Sequence, residues 1–234
     1  MTTKTVGISE IFSSWQGEGP HLGERHLFIR FERCNIHCDY CDELWKPASE
    51  MDLGAILDEV KRIDQEEGPH AFVSLTGGEP LYYGSFLKLL CPELARLGLR
   101  IYLETSGILW KPLEEIIQWT DVVAMDMKPA SVTHERNFFN EHKRFLEIAR
   151  KKETFVKIIV SHEIDLSEYR ECCKIIQAVN PAAPLILQPI SLSSGEGHDD
   201  PALMRLLNEL QRIGNSFIPN VRVIPRLHKI MNVR

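Results

Sequence analysis

The run Arg33-Cys34-Asn35-Ile36-His37-Cys38-Asp39-Tyr40-Cys41 places three cysteines within eight residues, spaced C-x3-C-x2-C. Three thiolates this close must wrap one small object. Zinc is a poor match, because structural zinc normally takes four ligands and pairs of C-x2-C knuckles. A [4Fe–4S] cluster with one iron left unligated by protein suits them better, and an open iron can hold a small molecule. That makes the loop a place for chemistry rather than for electron relay. Two plainer readings stand beside it: a structural zinc site completed by His37 or a distant histidine, and a disulfide scaffold. Six cysteines among 234 residues are few for a stapled secreted domain, and a chain that is 44% hydrophobic builds a core without staples.

Working outward from the cysteines, short apolar runs alternate with amphipathic ones. His26 to Phe31 (HLFIRF), Ala71 to Leu75, Arg100 to Leu103, Val122 to Met125, Phe155 to Val160, Leu185 to Leu187 and Val221 to Ile224 read as strands. Asp52 to Ile63, Ser85 to Leu97, Pro112 to Trp119 with its proline at the start, Asn137 to Arg150, Ser167 to Val179 and Pro201 to Ile213 read as helices. This alternation predicts an α/β fold of βαβ units on a parallel sheet. Six or seven units are too few for a closed eight-fold barrel, so a partial (β/α)6-type barrel is expected. In such barrels the chemistry gathers at the C-terminal ends of the strands. The notable residues fall there: the cysteine loop, Thr76-Gly77-Gly78-Glu79-Pro80, Glu104-Thr105-Ser106-Gly107, Asp126-Met127-Lys128-Pro129 and Gln188-Pro189.

The net charge of −6 gives no support for a nucleic-acid partner, which favours a basic face. No N-terminal stretch has signal-peptide form, and no run of about 18 apolar residues offers a membrane span. A single domain over residues 1–234 in the cytoplasm is expected, where reduced thiols suit cluster assembly.

The cysteine loop together with Gly77-Gly78-Glu79-Pro80 resembles the radical S-adenosylmethionine (SAM) superfamily. Its members bind SAM on the open iron, and an electron from the cluster cleaves SAM to a 5′-deoxyadenosyl radical that abstracts hydrogen from substrate. The glycine pair lets backbone approach the methionine amino group closely, and Glu79 either accepts a hydrogen bond there or braces the loop. Upstream, Glu10-Ile11-Phe12-Ser13-Ser14-Trp15-Gln16-Gly17-Glu18-Gly19, then Phe28-Ile29-Arg30, resembles the 7-carboxy-7-deazaguanine synthase family, whose members open with a strand, an x-Gln-Gly-Glu-Gly turn and a Phe-x-Arg strand. Arg222-Val223-Ile224-Pro225 leading to His228-Lys229 fits as well, so the resemblance spans nearly the whole chain.

The resemblance implies a lyase that converts 6-carboxy-5,6,7,8-tetrahydropterin into 7-carboxy-7-deazaguanine with release of ammonia, on the route to queuosine and related deazapurines. It also implies a [4Fe–4S] cluster, SAM, Mg²⁺ in many members, a flavodoxin or ferredoxin as electron donor, and a homodimer. Carried over by position, Cys34, Cys38 and Cys41 hold the cluster. Tyr40, Cys41, Asp42 and Gly78 lie along SAM, with Tyr40 against the adenine, and Glu104, Asp126, Met127, Lys128 and Gln188 contact its ribose, carboxylate or adenine end. Trp15, Gln16 and Gly17 line the pterin pocket, Thr76 hydrogen-bonds the pterin, and Arg30 pairs with the substrate carboxylate, a task suited to a planar bidentate donor. Each residue also has a structural alternative: Trp15 as core, Arg30 as a surface or ion-paired strand residue, Lys128 and Glu104 as a structural pair. His21, His26 and His37 read as structural or exposed, and Cys91, Cys172 and Cys173 as packing thiols.

The departures from the family pattern are informative. Arg33 replaces the usual glycine before the first cysteine, so its side chain must point away from the cluster or tune it. Glu43 stands where a hydroxyl residue usually ligates Mg²⁺. It either binds Mg²⁺ through its carboxylate or marks a metal-independent variant. Asp126-Met127-Lys128 replaces Ser-Pro-Lys, and Arg226 stands where many members carry Gln. The rival readings are a glycyl-radical-enzyme activase or another small radical SAM enzyme, and, outside enzymes, an iron–sulfur electron carrier. A carrier usually draws all four cluster ligands from protein. It also has no use for Gly77-Gly78-Glu79-Pro80.

Overall fold

The computed structural model describes residues 4–41, 47–192, 195–196 and 200–230. Nine strands form one sheet. In chain order they are β1 (Val6–Trp15), β2 (Arg25–Phe31), β3 (Ser49–Met51), β4 (Phe72–Gly77), β5 (Arg100–Thr105), β6 (Thr120–Asp126), β7 (Glu153–Val160), β8 (Leu185–Pro189) and, after the short antiparallel pair β9 (Ser191–Leu192) and β10 (Gly195–Glu196), β11 (Val221–Val223). The spatial order is β11-β8-β7-β6-β5-β4-β2-β1-β3. From β2 to β11 every neighbouring pair is parallel, and β1 joins β2 and β3 antiparallel. The sheet therefore has two ends and stays open, as the count of βα units requires.

Helices α1 (Leu53–Glu67), α2 (Gly84–Arg96), α3 (Trp110–Ile116), α4 (Ala130–Thr133), α5 (Phe139–Ala149), α6 (Leu166–Val179), α7 (Pro201–Gly214) and α8 (Leu227–Ile230) connect the strands. Their starts follow from local chemistry. Asp52 caps α1 by accepting from the Ala55 amide, Asp165 caps α6, and Asp200 caps α7 with Pro201 following it. Ile56, Val60 and Ile63 of α1 recur at helical spacing and are buried. The helix expected to start at Pro112 begins at Trp110. Its cap is Leu109, so Pro112 sits third, where the backbone amide has no intrahelical acceptor and its absence is tolerated.

Strand alternation divides the interior in two. One sheet face carries Leu27, Ile29, Val73, Leu75, Ile101, Leu103, Val123, Met125, Val156, Ile158, Leu185 and Leu187 into the main core with the helices. Cys91, Cys172 and Cys173 are fully buried in that core, as packing thiols should be. The opposite face carries a smaller apolar floor of Phe72, Tyr102, Val122, Ala124, Phe155 and Ile186. Beyond that floor, toward the C-terminal strand ends, this inner face turns polar.

The loop from Gln16 to Glu24 crosses the inner face. Gly19, at φ +68°, makes this passage possible: a Cβ there would lie 2.5 Å from the Phe155 ring. Amide bonds from Gln16 to Glu24 O (2.7 Å) and from Gly23 to Gln16 O (2.8 Å) close the loop.

Candidate active site

Arg30, Thr76, Glu104, Asp126, Lys157 and Gln188 come from six consecutive parallel strands and share the inner face near their C-terminal ends. Register explains the convergence. Arg30 pairs with Thr76, Glu104 with Ala124, Asp126 with Lys157, and Ile159 with Gln188. All six line one cavity, together with Trp15, Gln16, Gly17, Cys34, Cys38, Tyr40, Cys41, Gly78 and Lys128. Of the described residues the sequence singled out, Met127 is the one whose side chain lies elsewhere. Asp126 and Lys128 face the cavity, so alternation turns Met127 into the helix-side core, where it is 1% exposed. The Met127 side chain therefore does not line the cavity. Asp42 and Glu43 fall outside the described residues.

The cysteine loop rests on the strand ends below it. Gly78 fits because a Cβ would lie 2.2 Å from the Arg33 carbonyl oxygen, and the Glu79 amide donates to that same oxygen at 2.7 Å. Ser106 Oγ donates to Asn35 Oδ1 (3.2 Å), and Glu135 accepts from the His37 amide (2.7 Å). Arg33 itself is exposed and is not part of the cavity lining, so its side chain points away from the thiols. Cys34, Cys38 and Cys41 are all free of disulfides. Burial pushes the Cys34 thiol up to about 11 and raises Cys38 as well. A bound iron cluster reverses that balance, because a cation deprotonates its thiol ligands outright. Among the described residues, the group whose ligating atoms converge within 4.8 Å for a single ion is His21, Glu24 and His26, not the three cysteines. A thiol set spread more widely, open to a cavity and free of disulfides fits a cluster of several irons better than one zinc.

Glu79 braces the turn. It is fully buried and accepts from the Leu81 amide (3.0 Å), Thr105 Oγ1 (3.0 Å to each oxygen) and the Ser106 amide (2.7 Å). Burial raises its pKa against the pull of these donors.

Two charge groups divide the cavity. In the first, Lys128 Nζ donates to Asp126 Oδ2 (2.7 Å) and lies 5.8 Å from the centre of the Tyr40 ring. Burial opposes the Lys128 charge, but Asp126, Tyr40 and Cys38 outweigh it and hold the ammonium well above its ordinary range. Asp126 is likewise held below the usual carboxylate value: burial works against its charge, and Lys128 and Lys157 overcome it. In the second, Glu18 meets Lys157 and accepts from Gln188 Nε2 (3.2 Å), while Gln16 Oε1 accepts from the Glu18 amide (3.0 Å). Glu104 accepts from Gln16 Nε2 (2.9 Å) and Thr76 Oγ1 (2.5 Å). Burial and then the Glu18 charge raise its pKa. Glu104 thus bonds to residues that the resemblance placed at the pterin, and Lys128 pairs with Asp126 rather than with it.

Arg30 Nη1 donates to Glu10 Oε2 (2.9 Å), and its guanidinium stands 4.8 Å from the centre of the Phe12 ring. The ion-pair reading of Arg30 and its place in the cavity both hold. Trp15 is 42% exposed and is not core. Arg226 reaches the cavity from the C-terminal segment, which docks on the first loop through the Leu227 amide and Gly17 O (2.9 Å).

Sequence reasoning missed Glu18, Lys157 and Glu10. Lys157 was visible as the lone charge inside FVKIIV, and Glu18 sits in the quoted Gln-Gly-Glu-Gly turn.

Residues 28–176 match the profile of the Radical SAM superfamily, which sets the class. The 7-carboxy-7-deazaguanine synthase of Geobacter sulfurreducens is 35% identical over 99% of this chain and 99% of its own. The 7-carboxy-7-deazaguanine synthase of Methanopyrus kandleri is 30% identical over 98% of this chain and 95% of its own. The crystal structure of QueE from Escherichia coli superposes with a TM-score of 0.65 at 19% identity, covering 96% of this chain and 95% of that one, and shares the fold. This chain belongs to the radical SAM superfamily and, within it, to the 7-carboxy-7-deazaguanine synthase family. Membership implies an enzyme that uses a [4Fe–4S] cluster and SAM.

Proposed function

We propose that the chain converts 6-carboxy-5,6,7,8-tetrahydropterin to 7-carboxy-7-deazaguanine. The observation that carries this reading is the contact between the Gln-Gly-Glu-Gly loop and the polar sheet face. Gln16 and Glu18 cross the cavity and bond to Glu104, Lys157 and Gln188 within the same cavity as the three thiols. When bound, the cluster and SAM supply a carbon radical able to take hydrogen from the substrate.

The chain's own residues divide the remaining work. Cys34, Cys38 and Cys41 hold the cluster. Tyr40, Gly78, Asp126, Lys128 and Gln188 line the SAM side, where the buried ammonium of Lys128 suits a carboxylate. Gln16, Glu18, Glu104 and Thr76 present acceptors and donors of the kind that match the amino and amide edge of a pterin, and Trp15 covers its face. Arg30, which lines the cavity, takes the substrate carboxylate through its planar guanidinium. The chain of paired groups from Lys128 through Asp126, Lys157 and Glu18 fixes a small polar molecule at defined points. A peptide substrate, as in a glycyl-radical activase, needs a groove instead.

Either Glu43 binds Mg²⁺ in this reading or the chain is a metal-independent variant; a flavodoxin or ferredoxin donor, a homodimer and a cytoplasmic setting belong to the reading as well. Among the described residues no helix is long and apolar enough to cross a membrane.

The test is anaerobic turnover of cluster-loaded protein with 6-carboxytetrahydropterin, SAM and a reductant, with and without Mg²⁺. Formation of 7-carboxy-7-deazaguanine is expected. SAM cleavage without that product sinks the substrate assignment and keeps the superfamily.

A further inference from the structure

At the other end of the sheet, where the parallel strands begin, His21, Glu24 and His26 bring three ligating atoms within 4.8 Å of one another. Glu24 Oε2 lies 3.0 Å from His21 Nδ1 and 3.7 Å from His26 Nε2. Ligand atoms around a tetrahedral zinc, with bonds of about 2.0–2.1 Å, sit roughly 3.3 Å apart. The observed spacings bracket that value.

The outer contacts orient both rings. His21 Nε2 bonds to Glu153 Oε1 at 2.9 Å, and His26 Nδ1 to Ser74 Oγ at 2.8 Å. Metal-bound histidines usually tie the far ring nitrogen to a carboxylate or another polar group in this way, which fixes the tautomer. With Nε2–H of His21 given to Glu153, its Nδ1 lone pair faces the Glu24 carboxylate, an arrangement that requires a proton or a cation between them. A proton at His21 leaves His26 Nε2 fully buried with no hydrogen-bond partner. A cation satisfies His21, Glu24 and His26 together.

We propose that His21, Glu24 and His26 form a binding site for a borderline divalent cation, of which Zn²⁺ is the type. Two imidazoles and a carboxylate are an established zinc donor set. The half-exposed side of Glu24 leaves a position for water. The site has a structural consequence. His21 and Glu24 end the loop whose other residues, Gln16 and Glu18, line the catalytic cavity, so a metal here pins that loop to the sheet.

The test uses cluster-loaded protein, so that iron occupies the cysteines, stripped of loose metal and titrated with Zn²⁺ by calorimetry. About one zinc per chain is expected, with X-ray absorption showing nitrogen and oxygen but no sulfur around it. Glu153→Gln should weaken binding 10–100-fold by loosening His21 (about the usual range for an orienting partner). Glu24→Ala should abolish it. Glu24 is half exposed, so its truncation leaves the fold intact. No zinc uptake by the cluster-loaded protein, uptake unchanged in Glu24→Ala, or sulfur in the zinc shell each overturn the proposal. None of these outcomes depends on which substrate the enzyme takes.

Discussion

Asp126 and Lys157 lie side by side on adjacent parallel strands, with Oδ1 and Nζ 3.2 Å apart and both side chains largely shielded from solvent. Glu18 approaches the same ammonium from the loop across the sheet. Lys157 is thus the cation that joins the loop to the β6–β7 seam. Removing one member of a buried pair leaves the other charged and uncompensated, which typically destabilises by about 3–5 kcal/mol. Lys157→Met should lower stability toward the bottom of that range, since Lys128 still faces Asp126. For a domain of this size that is a fall in Tm on the order of 6–12 °C. Adding Glu18→Gln should restore part of the loss. A Lys157→Met protein that melts with the parent in differential scanning calorimetry would show that the network contributes little.

Gly78 is constrained by the cysteine loop rather than by a turn. An added Cβ would lie 2.2 Å from Arg33 O and 2.9 Å from Glu32 O, both backbone atoms. Neither yields as a flexible side chain does, so the loop that carries Cys34 must shift. Gly78→Ala should therefore reconstitute with well under the about four irons per chain of a full cluster. Gly23→Ala is the matched comparison. Its φ is +85° but nothing lies within 4 Å, so strain of about 1–2 kcal/mol is expected with iron content intact. Equal iron content in the two variants would refute the close-approach argument.

The reach of sequence reading tracks where the information resides. Each core strand and long helix was legible because its apolar period is local. HLFIRF and FVKIIV are apolar enough to announce strands buried on both faces. β1 entered only through the family resemblance, because Val6–Trp15 is an antiparallel strand near the sheet edge with a mixed burial pattern. β3 has three residues and nothing local to mark it. Side-chain direction was less legible. Met127 sits in a cavity-forming stretch, yet alternation turns it into the core. Partner identity was least legible: Glu18 and Lys157 are 139 residues apart, and only the passage of the Gln16–Glu24 loop across the inner face of the sheet brings them together. Glu43 is the complementary case, a departure visible in sequence whose geometry lies outside the described residues.

His142 gives the fold an acid limit. It is fully buried on α5, and burial lowers its pKa to about 4. The unfolded chain takes up a proton near pH 6.5, well before the native state does. Its share of stability is therefore intact above pH 6.5 and declines as pH falls, reaching about 3 kcal/mol lost at pH 4. His142→Leu should remove this component. The difference in unfolding free energy between pH 7 and pH 4, read from urea titrations, should shrink by about that amount relative to the parent. An unchanged difference would mean that the imidazole does not stay neutral in the native state.

Arg30 separates charge from geometry in the proposed substrate pocket. Its guanidinium already gives Nη1 to Glu10 and lies over Phe12. A substrate carboxylate would meet its planar guanidinium in a two-point contact, which an ammonium cannot reproduce. Arg30→Lys keeps the charge and the opportunity to pair with Glu10, so the fold should be preserved. Loss of one charge-assisted hydrogen bond, about 1.5–3 kcal/mol, corresponds to a fall of roughly 10–150-fold in kcat/KM for the pterin. The fall should appear chiefly as a higher KM. Slow SAM cleavage without pterin should stay at the parental rate, since Arg30 pairs with Glu10 and stands over Phe12, whereas Lys128 pairs with Asp126 and stands over Tyr40. A loss of that uncoupled cleavage equal to the loss of turnover would place Arg30 in support of the cluster loop and end its assignment to the substrate carboxylate.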